Sequence, residues 1–225
     1  MRRRRRLRSA SEAASTRVAT NFLFIRHGAH DLLGKRIAGR QPGVELNALG
    51  LDQAEHLAER VSLLPLDAVY SSPLERARQT AEPICRRRDV PLEIAEEFTE
   101  VEFGAWTNSS LADLSSDARW REFNSFRSSV GAPDGELMLD IQARVVRKLT
   151  ELRATHQFVA IVSHGDVIRA TLAHFLGVHL DSFQRIEIDP ASLSLVEVGD
   201  DFVKVRLMNA PWEGSPLKLP ALRHQ

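Results

Sequence analysis

The sequence predicts an α/β fold in three layers, with a mostly parallel central sheet and helices packed on both of its faces. Short apolar segments of strand length alternate along the chain with longer segments of helical periodicity, an order typical of parallel strands connected by helices. Residues 22–25 and 158–162 are uninterrupted apolar runs, as expected for strands buried on both faces. The chain has 225 residues, which suits one domain with a sizeable core.

The first half of the chain is predicted to contain three strands and two helices. Asn47 can cap a helix over residues 48–61, because its side chain can accept a hydrogen bond from the first turn. Ser72, Pro73 and Glu75 form a capping-box pattern with proline at the first helical position, which predicts a second helix. That helix runs to residue 87, and the strands lie at residues 21–25, 68–70 and 90–94.

The second half is predicted to alternate in the same way. Apolar residues at helical spacing indicate a long helix, and a Gly-Asp-Asp sequence between the last two strands is a hairpin signal. Glycine, asparagine and proline interrupt the pattern before the long helix, so one helix is expected there. The helices lie at residues 111–126, 136–154 and from the Ser-His-Gly-Asp segment to 176, and the strands at 158–162, 193–198 and 202–208.

Composition and charge distinguish three regions. Residues 1–20 hold seven arginines and one glutamate, a charge of +6, so we expect a disordered arginine-rich extension, with a targeting segment or a partner-binding arm as alternatives. We expect residues 21–210 to form the folded domain and residues 211–225 an irregular tail. Residues 21–225 carry a charge of −6, which disfavours nucleic-acid binding because such surfaces are usually basic.

The composition also excludes several kinds of site. Cys85 is the one cysteine, so an intramolecular disulfide framework and a four-thiolate zinc site are excluded. No run of 18 apolar residues occurs, so we expect no transmembrane helix, no membrane partner and a cytoplasmic location. The spacing of His27 and His30 can suggest a metal site, but no further ligand cluster lies nearby, so we expect no metal.

Polar residues directly follow three of the predicted strands. They are Arg26, His27 and Gly28 after the first strand, residues 71–76 after the second, and Ser163, His164 and Gly165 after the fourth. Ligands bind at the carboxyl ends of strands in open α/β sheets, so we expect Arg26, Arg76 and the two histidines to converge. Two guanidinium groups and two helix amino ends suit an anion of phosphate size.

These residue types can carry out phosphoryl transfer. A histidine among arginines stays neutral, because nearby positive charge disfavours the imidazolium ion, and its free nitrogen can attack phosphorus. Gly28 can bring the backbone close to the phosphate. A carboxylic acid must protonate the departing alkoxide, and the candidates are Glu96, Glu97, Glu100 and Glu102.

Residues 26–28, 71–81 and 162–165 resemble the histidine phosphatase superfamily, the family of cofactor-dependent phosphoglycerate mutases and related phosphatases. Residues 98–106 and 133–136 resemble further segments of that family, and the likeness covers residues 21–210 in order. It implies a phosphoglycerate mutase-like fold, with His27 as the phosphorylated nucleophile and Glu100 as the proton donor, Glu102 being the rival. The phosphate-binding residues would be Arg26, Arg76, His164 and Gly165, and the substrate-binding residues Gly28, His30 and Gly39.

Two departures from the family pattern favour a phosphatase over a mutase. Ala29, His30 and Leu33 stand where many members have an acidic residue, a Ser or Thr, and an Asn, and the segment between Trp106 and Pro133 is short for a mutase. We therefore predict a metal-independent phosphate-monoester phosphatase that uses no cofactor and acts on a small phosphorylated metabolite. The alternatives are a phosphoglycerate mutase and a non-catalytic phospho-ligand-binding module. The substrate and the oligomeric state, a homodimer included, stay open.

Overall fold

The computed structural model describes residues 19–218. Its strands are β1 (Thr20–Arg26), β2 (Ala68–Ser71), β3 (Leu92–Ile94), β4 (Phe158–Ser163), β5 (Leu193–Val198) and β6 (Val203–Ala210). Its helices are α1 (Ala48–Arg60), α2 (Glu75–Arg88), α3 (Leu111–Ser115), α4 (Ala118–Ser125), α5 (Met138–Leu152) and α6 (Gly165–Leu176). Short 3-10 turns lie at Glu96–Phe98, Gly104–Trp106 and Leu180–Arg185.

One six-stranded sheet forms the middle layer, in the order β3-β2-β4-β1-β5-β6. The strands β3, β2, β4 and β1 are parallel to one another. β5 runs antiparallel to β1, and β6 runs antiparallel to β5. Alternate residues of β1 enter two hydrophobic cores, one on each face of the sheet: Phe22 and Phe24 join one, Leu23 and Ile25 the other. The first core is covered by α5 and α6 and the second by α1 and α2. The predicted three-layer α/β architecture is confirmed.

The segment predicted as one helix over residues 111–126 consists of two. Ser110 caps α3 by accepting a hydrogen bond from the Ala112 N–H group, and α3 ends at Ser115. Asp117 then caps α4 by accepting from the Arg119 N–H group at 2.8 Å. Serine and aspartate compete with the helix for backbone hydrogen bonds, so they favour caps over helix interiors. The prediction of a single helix was wrong for this reason.

The predicted capping box at the start of α2 is also wrong. The helix begins at Glu75, and its capping residue is Leu74, which makes no side-chain capping bond. The Glu75 carboxylate instead accepts a hydrogen bond from the Gly43 N–H group at 3.0 Å. Ser72 bonds to His164, as described below. The side chains of Ser72 and Glu75 therefore form hydrogen bonds to distant segments of the chain and do not cap the helix together.

Residues 211–218 contain neither helix nor strand, and the Leu217 N–H group donates to the Arg60 carbonyl at 2.7 Å. The predicted arginine-rich extension lies almost entirely outside the described residues, as does the end of the predicted tail. Over residues 19–218, no helix has both the length and the apolar character needed to cross a bilayer.

Candidate active site

The strand register brings three polar segments together at one edge of the sheet. Arg26 at the end of β1 lies opposite Ser163 at the end of β4, and the His27 N–H group donates to the Ser163 carbonyl at 3.0 Å. On the other side of β4, the Ser72 N–H group donates to the Val162 carbonyl, also at 3.0 Å. The residues that follow β1, β2 and β4 are therefore neighbours, although they are far apart in the sequence.

His27 lies at the centre of a group of three histidine rings. Its ring centroid is 5.1 Å from that of His164 and 5.2 Å from that of His30. Burial, and then the positive charge of Arg76, lowers the pKa of both His27 and His164 well below the usual value. The same causes lower the pKa of His30 to about 4. All three rings are therefore neutral at pH 7.

The hydrogen bonding of His27 determines which ring nitrogen is free. His27 Nδ1 lies 2.8 Å from the Gly28 carbonyl oxygen, and a carbonyl can only accept, so Nδ1 carries the proton. The lone pair is then on Nε2. His27 lines the cleft described below, so a neutral ring nitrogen with a free lone pair, a group chemically able to act as a nucleophile, is present in the site.

Arg26 and Arg76 hold their guanidinium groups on backbone carbonyls. Arg76 Nη2 donates to the Gly39 carbonyl at 2.7 Å, and Arg26 Nη1 donates to the Ile188 carbonyl at 2.6 Å. Arg76 is 1% exposed, and its Nε and Nη1 atoms, like Arg26 Nε, are buried without a hydrogen-bond partner among residues 19–218. Buried donors are almost always paired in proteins, so these groups are suited to an anionic ligand.

Glu100 is a cleft-lining carboxyl group that lies beside His164. Its Oε2 atom is 3.8 Å from His164 Nδ1, and its Oε1 atom accepts a hydrogen bond from the Val101 N–H group. Burial, and then the negative charge of Asp166, raises the pKa of Glu100 to about 7. Near neutral pH this carboxyl group can therefore either give or take a proton. Glu102, the rival, accepts from the Gly104 N–H group and is not among the cleft-lining residues in the described part of the chain.

Ser72 orients His164. The Ser72 hydroxyl lies 2.8 Å from His164 Nε2, and its oxygen also accepts a hydrogen bond from the Leu74 N–H group at 3.3 Å. When the hydroxyl donates to Nε2, the ring proton is on Nδ1, the nitrogen that faces Glu100. The local sequence around Ser72 predicts a helix cap and contains no signal for this contact.

These side chains line a cleft of about 280 Å³. Of the residues singled out from the sequence, the cleft contains Arg26, His27, His30, Gly39, Arg76, Glu100 and Gly165. His164 lies behind it, fully buried against His27 and Glu100. Six polar cleft-lining residues were missed: Arg36, Asn124, Arg127, Asp166, Arg169 and Gln184. Asp166 and Arg169 are three residues apart on α6, a spacing that could have predicted their ion pair.

The glycines of the site have different roles. A side chain on Gly28 would meet the Gly50 carbonyl oxygen at 2.7 Å, so Gly28 is required for packing against α1. Gly39 has a φ of +50° and anchors Arg76 through its carbonyl. A side chain on Gly165 would lie 3.3 Å from the Arg26 guanidinium carbon, so Gly165 keeps the space beside Arg26 open.

Trp120 also lines the cleft. Its ring packs against Trp106 and Phe123, with centroid distances of 5.1 and 5.7 Å. Ile37 and Phe103 extend the same apolar wall. Among residues 19–218, no group of three or more His, Cys, Asp or Glu side chains is arranged to hold a metal ion.

The histidine phosphatase superfamily (branch 1) matches this chain over residues 22–211. The chain belongs to this superfamily. It is 26% identical to the adenosylcobalamin/alpha-ribazole phosphatase of Escherichia coli K12, over 83% of this chain and 94% of that protein. It is 30% identical to phosphoserine phosphatase 1 of Hydrogenobacter thermophilus, over 71% of this chain and 79% of that protein.

A solved histidine phosphatase structure has the same fold. It is the mycobacterial glucosyl-3-phosphoglycerate phosphatase in complex with inorganic phosphate, with a TM-score of 0.77 and 25% identity. The superposition covers 88% of this chain and 100% of that structure. These relatives and their fold support a histidine-phosphatase-type phosphatase.

Proposed function

We propose that this protein hydrolyses phosphate monoesters of small metabolites in two steps, through a phosphohistidine at His27. The observation that carries the proposal is the neutral His27 ring beside Arg26 and Arg76, whose buried N–H groups lack partners in the described residues. A dianionic phosphoryl group supplies the acceptors that these donors need. The same charges stabilise the transition state, in which negative charge spreads over the phosphoryl oxygens.

In the first step, His27 Nε2 attacks phosphorus. The N–P bond forms while the bond from phosphorus to the ester oxygen breaks, and Glu100 gives its proton to the departing oxygen. The raised pKa of Glu100, about 7, supports this role, because the carboxyl group still holds its proton near neutral pH. His164 stays neutral and can donate from Nδ1 to a phosphoryl oxygen.

In the second step, water attacks the phosphorus of phosphohistidine. Glu100, now a carboxylate, takes a proton from that water as the P–O bond forms and the P–N bond breaks. Inorganic phosphate leaves, and His27 and Glu100 return to their starting protonation states. Arg26 and Arg76 supply the positive charge at phosphorus throughout, so the reaction is proposed to need no metal ion and no cofactor.

Transfer to water is proposed rather than return of the phosphoryl group to a sugar acid. The relatives reported above are named phosphatases, and only 26 residues separate Trp106 from Pro133, short for the segment that a mutase carries there. Release of inorganic phosphate without isomerisation of phosphoglycerate distinguishes the two reactions.

The test is phosphate release by His27→Ala with p-nitrophenyl phosphate. His174→Ala is a matched control, because His174 is exposed on α6. We expect the His27 variant to lose turnover by about 10⁴-fold or more and the control to keep it. EDTA is expected to leave the wild-type rate unchanged. Substantial turnover by His27→Ala contradicts the nucleophile, and loss of activity in EDTA contradicts metal independence.

A further inference from the structure

Asp166 places a carboxylate in the cleft one residue after Gly165. Arg127 Nη1 lies 3.1 Å from Asp166 Oδ2, and Arg169 Nη1 lies 2.9 Å from Asp166 Oδ1. Each oxygen therefore accepts a hydrogen bond from a different guanidinium group. Burial alone would raise the pKa of Asp166, but the two arginines lower it below the usual value, so the carboxylate is ionised.

Arg127 is held rigidly in this arrangement. Its side chain is 3% exposed, and its guanidinium carbon lies 3.9 Å from the Phe123 ring centroid and 5.0 Å from that of Phe183. Arg127 Nη2 donates to Asn124 Oδ1 at 2.7 Å. Packing on two rings and hydrogen bonds to two side chains fix the guanidinium group, so it is not free to turn towards a ligand.

The Asp166 carboxylate thus bonds to two of the arginines in the cleft and offsets one of their two positive charges. A substrate carboxylate that reached this end would find the Nη1 donors of both guanidinium groups already bonded and a fixed negative charge beside them. An uncharged hydroxyl group could instead donate to a free lone pair of Asp166, which is 16% exposed. The apolar wall of Ile37, Phe103 and Trp120 suits the carbon skeleton of such an alcohol.

We propose that Asp166 is a specificity-determining residue, which makes the enzyme favour phosphate monoesters of uncharged alcohols over those with a carboxylate near the ester. The inference rests on the proposed phosphatase function. It assigns the side of the cleft formed by α4 and α6 to the leaving group. Arg26 and Arg76 are assigned to the phosphoryl group.

A matched pair of esters tests this preference. Glycerol 3-phosphate and 3-phosphoglycerate share one skeleton and differ in a hydroxymethyl group against a carboxylate. We expect wild-type kcat/KM to favour glycerol 3-phosphate by about tenfold or more, the effect of about one charge-assisted hydrogen bond. Where an ester turns over slowly, its competitive Ki against p-nitrophenyl phosphate gives the same comparison.

Asp166→Asn should reverse part of this preference. The amide is isosteric, but it lacks the negative charge and leaves a guanidinium donor for the substrate. We expect the specificity ratio to shift towards 3-phosphoglycerate by about tenfold. Arg169→Gln should shift the ratio the opposite way, about threefold, because Asp166 then keeps only Arg127 as a partner. Asp140→Asn, at an exposed acid in the first turn of α5, is the control and should leave the ratio unchanged.

The outcomes separate this inference from the proposed function. A wild-type preference for 3-phosphoglycerate, or an unchanged ratio in Asp166→Asn, overturns the role of Asp166 while p-nitrophenyl phosphate hydrolysis through His27 continues. Absence of p-nitrophenyl phosphate hydrolysis in the wild type contradicts the phosphatase function and this inference with it.

Discussion

The two ends of the cleft hold their arginines in different ways. Arg26 and Arg76 are anchored by backbone carbonyls, and they keep buried N–H groups that no atom of residues 19–218 pairs. Arg127 and Arg169 instead share the carboxylate of Asp166. Among the described residues, three buried guanidinium N–H groups lack a partner at the first end, whereas at the second end only the buried Arg127 Nε does, and Asp166 supplies an anion there.

This difference indicates where the enzyme gains its binding energy. Each buried donor without a partner costs about 1–3 kcal/mol, and a phosphoryl group that supplies the acceptors removes that cost. Asp166 offsets one of the two positive charges at the other end, so we expect a substrate to gain less charge-based affinity there. Under the proposed function we therefore expect strong and general recognition of the phosphoryl group, and recognition of the alcohol that depends on shape and hydrogen bonding.

The largest effect should follow removal of positive charge at the end of the cleft that holds Arg26 and Arg76. Arg76→Met keeps most of the side-chain volume but removes the charge and its unpaired donors. We expect kcat/KM to fall by about 10³-fold or more, as for loss of a main electrostatic contact to the transition state. Arg78→Met, exposed on the same helix, is the control and should be near wild type. A loss below about tenfold in Arg76→Met would show that the unpaired donors do not bind the phosphoryl group.

A smaller effect that depends on the substrate is expected at Glu100. Glu100→Gln removes the proton donor, so hydrolysis of an alkyl ester should slow by about 10²–10⁴-fold. p-Nitrophenyl phosphate should suffer less in the phosphorylation step, because p-nitrophenolate leaves without protonation. Pre-steady-state release of p-nitrophenol measures that step, and Glu102→Gln should leave both substrates near wild type. Equal losses for the two esters would contradict the assignment of Glu100 as the acid.

The smallest effect links the two ends through pH. Glu100 must be protonated for the first step, so kcat/KM for an alkyl ester should fall as pH rises through its pKa of about 7. The negative charge of Asp166 is the second cause of that raised pKa, after burial. In Asp166→Asn the alkaline limb of the pH profile should therefore move to lower pH. An unmoved limb would mean that Asp166 and Glu100 do not interact.

The end of the cleft that holds Arg26, His27 and Arg76, the phosphoryl end, could be predicted from the sequence, because these residues lie at or shortly after the carboxyl ends of β1 and β2. Once the strands are recognised, the parallel order places Arg26 beside Ser163 without knowledge of any side-chain contact. Ser72 shows the limit of this reasoning. Its local pattern fits a capping box, but a partner 92 residues away takes its hydroxyl. A tertiary contact overrides local propensity at this position.

The other end of the cleft, which holds Arg127, Asp166 and Arg169, could not be predicted in the same way. Arg127 lies between α4 and α5, outside any periodic pattern, and its partner Asp166 is 39 residues further along the chain. Gly28 is similar, because it lies against the backbone of Gly50 on α1, 22 residues further along the chain. Residues of this kind depend on how helices pack against the sheet, which hydrophobic periodicity alone does not specify.

The central claim is tested most directly by trapping the covalent intermediate. Wild-type enzyme is mixed with p-nitrophenyl phosphate that carries a radiolabelled phosphoryl group, quenched in base during the first turnover and digested. We predict an acid-labile, base-stable label on the peptide that contains His27. Release of p-nitrophenol with no labelled protein, or a label on another residue, would contradict the account.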